Sequence, residues 1–365
     1  MKTRSTARKG AYWLVFLLCF TLIPLLLLEG ATRVYLYAKY HKPNKSYGLW
    51  QADAELGAIH ALNGYNSNAE TNDYGFRNVE AVKNPKPAGA TRGIVYGGSI
   101  VFCYNLSNEE AWPLQLEKQL RTHHNPEDQV LNGGAIAWSI GHAYRRAKRD
   151  LPVLKPDYVV IYSGINEQLN ALIMQSTGTD IHDLIKQGKY GEITTQYDQS
   201  RWAKRNLAVV RLFEYVISPI FQKKAAANRK EIGEQFGIKS ENGAVPKTDT
   251  LLLNNYLYVL RNFVQLIKDN GARPIFVIQS HSKTMAHMDY FTSFSENGAA
   301  LAREMGATIV DSKDIAETYT GEWANLFIES GCHFTKTGAE EMGKIVYAKA
   351  FAPKEISLVK NEKEK

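Results

Sequence analysis

The chain has 365 residues, 44% of them hydrophobic, and a formal net charge of +7, so it can bury the core of one large domain and is too long for a mini-domain. The positive excess sits largely at the ends, on Lys2, Arg4, Arg8 and Lys9 and on Lys360, Lys363 and Lys365. With no Lys/Arg block interleaved with aromatics and no zinc-finger spacing, this argues against a nucleic-acid partner. The three cysteines, Cys19, Cys103 and Cys332, are too few for a disulfide framework and lack metal-ligand spacing. Cys103 and Cys332 read as small buried residues rather than as a disulfide.

From Gly10 to Leu28 no residue is charged, and the run is almost wholly apolar. As a helix it would cover about 28 Å, enough to cross a bilayer core. A signal-peptidase cut after Ala31 would put Glu29 where a small residue belongs, so the expectation is an uncleaved signal anchor over 11–29. Basic residues flank it on both sides. A lone N-terminal span before a large domain usually exports that domain, which places 1–10 in the cytoplasm and the rest outside, periplasmic in a bacterium.

Residues 30–90, rich in Asn, Gly and Tyr, read as an extracytoplasmic neck and lead-in without sustained periodicity. The main domain is expected over 91–353. Five short apolar runs there predict strands: 93–98, 129–134, 158–164, 273–280 and 307–312. Continuous rather than alternating apolar residues suggest strands buried on both faces of a parallel sheet. Helices are predicted after Ser107-Asn108 (with Trp112, Leu116 and Leu120 on one face), over Leu251–Asp269, over Ala299–Met305, and from Gly338 to about Phe351. Strand–helix alternation implies an α/β fold: a three-layer, doubly wound sandwich with a mainly parallel central sheet. Residues 170–250 interrupt the rhythm as a helical insertion, either a lid or substrate-binding cap or a surface filler. Residues 354–365 form a polar tail.

Three strand ends and a late loop carry reactive groups. Strand one ends in Gly97-Gly98-Ser99, where glycines allow a sharp turn and a close substrate approach. Strand two ends in Asn132-Gly133-Gly134, with bare backbone N–H groups, and strand three in Ser163-Gly164-Ile165-Asn166-Glu167. His333 stands before the last helix. Nucleophile, oxyanion donors and base would converge on one crevice. Taken singly, each motif reads equally as a turn; their joint order does not.

In these motifs the sequence resembles the SGNH (GDSL-type) hydrolase family, over about residues 71–350. The resemblance implies a flavodoxin-like sandwich, Ser99 as nucleophile, His333 as base, and an oxyanion hole from the Ser99 and Gly134 amides and the Asn166 side chain. The segment 71–78, TNDYGFRN, is similar to one that membrane-anchored bacterial members carry. The family's Asp three residues before the histidine is replaced here by Ser330, with Glu329 one residue off. Glu329, the Ser330 hydroxyl or a backbone carbonyl would then orient the imidazole, giving a dyad or a weakened triad.

The implied chemistry is acyl transfer through a Ser99 acyl-enzyme, without metal or organic cofactor. The expected substrate is a cell-envelope glycan or lipid ester losing short acyl groups such as acetyl. One alternative is an O-acyltransferase that passes the acyl group to a polysaccharide. Another is a non-catalytic glycan-binding or assembly protein. His281 and Trp138 are candidate substrate-binding residues, each with a plainer reading as loop or packing. His123 and His124 read as helix C-terminal dipole partners.

Overall fold

The structure is a computed structural model that describes residues 3–40, 42–66, 69–168, 181–186, 208, 209, 212, 249–282, 288–328 and 331–353. The chain divides into two compact units, one of residues 1–45 with 198–243, the other of residues 46–197 with 244–365. In the first, α1 (Thr3–Leu17), a π-helical turn (Leu18–Leu22) and α2 (Ile23–Tyr40) follow without a break. Tyr12–Ala38 within it is long and apolar enough to cross a membrane, with a mean hydropathy of 2.4. That is longer than the expected span, because the helix continues past Glu29. The carboxylate is compensated there: Arg33, one turn on, donates from Nε at 2.9 Å, and the Ala208 and Val209 amides donate at 2.7 and 3.0 Å. Part of the expected insertion thus contacts the N-terminal helix. Most of 170–250 lies outside the described residues, including whatever would make it a lid.

The second unit opens with four strands, β1 (Ser46–Tyr47), β2 (Trp50–Asp53), β3 (Gly57–His60) and β4 (Gly64–Tyr65). They pair as two ribbons, β1 with β4 in parallel and β2 with β3 antiparallel. The sequence reading saw only an irregular neck here, because strands of two to four residues are too short to show alternation.

The main sheet is built from β5 (Arg92–Gly97), β6 (Gln129–Asn132), β7 (Tyr158–Tyr162), β8 (Arg273–Ile278) and β9 (Thr308–Asp311). Every pairing is parallel and the order is β6-β5-β7-β8-β9. All five are the strands expected from the apolar runs. Successive residues feed opposite faces, as the two-residue strand period requires. Ile94, Tyr96, Val159, Ile161 and Phe276 join one core, covered by α5 (Ile140–Leu154), α7 (Thr250–Asp269) and α8 (Met288–Glu304). Val95, Val130, Val160, Ile275, Val277 and Val310 join the other. That second core is covered by α3 (Ser99–Phe102), α4 (Trp112–His123) and α9 (Lys336–Ala350). One further short helix, α6 (Ile181–Lys186), precedes α7.

The sandwich is therefore doubly wound. Helix α5 was not singled out in the sequence, and α8 begins well before the expected Ala299. Strand order reverses between β5 and β7, since β6 lies to one side of β5 and β7–β9 to the other. In open parallel sheets such a reversal leaves a crevice at the strands' carboxyl ends. Ser99 follows β5 and Asn166 follows β7, so both stand at its rim.

Candidate active site

Ser99 opens α3 directly after Gly98, so its side chain projects from a strand-to-helix turn. Across 234 positions of sequence, His333 Nε2 lies 2.8 Å from Ser99 Oγ. The His333 loop is fixed on both sides: Ile328 N–H donates to the His333 carbonyl at 2.9 Å, and Asn105 Nδ2 to the Phe334 carbonyl at 2.9 Å. Thr335 caps α9 by accepting from the Gly338 amide. The Tyr104 ring meets the imidazole edge to face, with centroids 4.8 Å apart.

Asn166 sits across the crevice, donating from Nδ2 to the Trp138 carbonyl at 2.8 Å. Its approach explains Gly98. A Cβ there would lie 2.0 Å from Asn166 Nδ2, although the Gly98 φ of −87° is open to any residue. The glycine is required for space, not for backbone conformation. Glu167, the next residue, is fully buried and accepts from the Ile140 amide at 2.5 Å and from the Gly164 amide at 2.9 Å. It joins the turn after β7 to the N-terminus of α5, where a carboxylate also meets the helix dipole favourably. Burial raises its pKa above the usual carboxylate range.

Gly134 follows β6 in the loop that faces α3. Its amide donates to Asn132 Oδ1 at 3.0 Å, and its Cα faces the backbone of Val101 and Phe102, where a Cβ would lie 2.4 Å from the Phe102 nitrogen. The N–H is therefore spent inside the structure, and the glycine serves close packing of the loop against α3. Asn132 completes that contact by donating from Nδ2 to the Val101 carbonyl at 3.0 Å. Farther along the same loop Ala137 takes a left-handed φ of 64°, an uncommon conformation for a residue with a Cβ.

The other candidates divide. Trp138 is buried and stacks on His142, with centroids 5.7 Å apart, while its carbonyl accepts from Asn166 and the residue helps to line the crevice. His281 is half-buried, with Nδ1 2.8 Å from the Ser282 carbonyl. The neighbouring Ser282 amide donates to the Gly331 carbonyl at 2.6 Å, which puts His281 beside the His333 loop. Glu329 and Ser330 lie outside the described residues. His123 falls in the last turn of α4, and His124 Nδ1 lies 2.7 Å from Asp128. No group of His, Cys, Asp and Glu suited to a metal occurs among the described residues.

Arg77 is a residue the sequence flagged without a role. It belongs to TNDYGFRN, is fully buried, and donates to three carbonyls at the end of the nucleophile turn, those of Phe102, Cys103 (2.9 Å) and Leu106 (2.5 Å). The last carbonyls of a helix lack intrahelical partners, and this guanidinium supplies them for α3. Burial lowers its pKa to about 10, so it remains charged at neutral pH. The Asn72 side chain shapes the preceding turn by accepting from the Tyr74 and Phe76 amides.

Beside Ser99 lies a small crevice lined by Gly98, Ile100, Trp138, Tyr162, Ser163, Asn166, Glu167 and Gln279. No family model and no curated protein matches the chain. Similar solved structures include a protein assigned to the G-D-S-L lipolytic family from Desulfitobacterium hafniense. It is 15% identical, with 71% of this chain and 98% of that one covered, at a TM-score of 0.41. A variant of the acetylxylan esterase Axe2 from Geobacillus stearothermophilus is 13% identical, covering 73% and 97%, at 0.44. The esterase EstA from a Pseudoalteromonas species is 13% identical, covering 71% and 96%, at 0.41. In this structure Ser99 follows the first strand of the main sheet, Asn166 follows the third, and His333 precedes α9.

Proposed function

We propose that this chain is a serine esterase of the SGNH type, acting outside the cytoplasmic membrane to which its N-terminal helix anchors it. The observation that carries the reading is the 2.8 Å approach of His333 Nε2 to Ser99 Oγ at the crevice rim. Ser99 attacks an ester carbonyl while His333 takes its proton. The tetrahedral oxyanion is held by the Ser99 amide and by Asn166 Nδ2, which gives up the Trp138 carbonyl. His333 then protonates the leaving alcohol and activates the water that releases the acyl group.

The crevice beside Ser99, walled by Trp138, Tyr162 and Gln279, is the seat this reading gives to a short acyl group such as acetyl. A membrane-tethered enzyme would find such esters on envelope glycans or lipids. The test is turnover of p-nitrophenyl acetate by the full-length chain, beside Ser99→Ala and His333→Ala. Turnover that both substitutions abolish supports the reading. A wild type no faster than folded Ser99→Ala would sink it. Adding a glycan acceptor separates hydrolysis from acyl transfer.

A further inference from the structure

Because His333 meets Ser99 through Nε2, the state of its other nitrogen decides whether it can act as a base. Nε2 accepts the hydroxyl proton only if it carries the lone pair, so the ring proton must sit on Nδ1. Facing Nδ1 is the thiol of Cys332, with Sγ 3.4 Å away. The backbone around that thiol is held by its neighbours: Ser282 N–H donates to the Gly331 carbonyl, Ile328 N–H to that of His333, and Asn105 to that of Phe334. On a third side the ring rests against Tyr104.

We propose that Cys332 is a positioning residue for His333: its sulfur accepts the Nδ1–H, selects the tautomer that leaves Nε2 basic, and sets the rotation that aims it at Ser99. This rests on the serine-esterase reading of the site. A thiol sulfur is a weak but polarizable acceptor, suited to holding a tautomer and less suited than a carboxylate to stabilising an imidazolium. It follows that modifying this thiol disturbs the base. The three cysteines differ in a way that makes this testable. Cys103 is buried, donates to the Ile100 carbonyl, and has its pKa pushed up to about 11 by burial. Cys19 lies within the apolar N-terminal helix. Cys332 is half-buried, so a polar alkylating reagent reaches it first.

The experiment uses the full-length chain in detergent, as wild type, Cys332→Ser and Cys332→Ala. Rates with p-nitrophenyl acetate are followed across pH, and the His333 tautomer is read by nitrogen NMR of the imidazole, assigned with His333→Ala. Cys332→Ala should lower kcat about 3- to 10-fold, the range of one weak hydrogen bond, at unchanged KM, and should mix the tautomers. Cys332→Ser should recover both toward wild type. Iodoacetate, a charged alkylating reagent, should inactivate the wild type and spare Cys332→Ser. A Cys332→Ala protein with wild-type kcat, pH profile and tautomer overturns the proposal. If no form turns over ester, the esterase reading fails, and the tautomer in Cys332→Ala alone decides the role of the thiol.

Discussion

On the proposed esterase reading, the residues around Ser99 divide into those that touch the substrate and those that hold them there. On that reading Asn166→Ala removes an oxyanion donor and should lower kcat about 10²–10³-fold with little change in the unfolding midpoint. Gly98→Ala puts a methyl group 2.0 Å from Asn166 Nδ2, so it should cost at least as much rate by pushing the same amide aside. Gly134→Ala differs: its methyl would strike the Val101 and Phe102 backbone, so the damage should appear as a lowered denaturation midpoint. Arg77→Ala leaves buried carbonyls without a donor and should destabilise by about 3–5 kcal/mol, read by chemical denaturation. The placement of Ser99, Asn166 and His333 was legible in the sequence because each follows a strand end or precedes a helix. The internal contact of the Gly134 amide was not. A Gly-Gly pair looks the same whether its N–H groups face a substrate or an internal side chain, and only the fold shows that Asn132 takes one of them.

At the scale of elements, the central strands were readable because strands buried on both faces leave continuous apolar runs. Helix α5 was harder, since its sequence, IGHAYRRAKRDLPVL, carries five basic residues and an internal Pro152. Its apolar face is nevertheless buried, and it starts with a capping box in which the Ser139 amide donates to His142 Nδ1. His142 and His60 supply a pH signature. Burial lowers the His142 pKa from 6.5 to about 3, with the nearby Arg145 adding to it, and burial holds His60 well below its ordinary value. The unfolded chain binds these protons below pH 6.5 and the folded one does not. Their stability contribution is therefore complete above about pH 6.5 and is lost as pH falls toward the folded pKa values. Glu167 and Glu117, whose pKa values burial raises, act with the opposite sign, so the effect is best read as a difference. The gap in unfolding free energy between wild type and His142→Asn should shrink by roughly 2–3 kcal/mol between pH 7 and pH 4.

For the molecule as a whole, one consequence lies in the alternation of side chains along the sheet. Ser99 and the residues flanking His333 lean on the core beneath α3, α4 and α9, and the loop after β6 packs on α3, whereas Glu167 reaches across to the N-terminus of α5. The crevice beside Ser99 draws Ile100 and Tyr162 from that same core. Substitutions behind α7 and α8 should therefore leave the Ser99–His333 distance and the crevice lining as they are, and a new crevice shape has to come from the core that also holds the serine and the histidine.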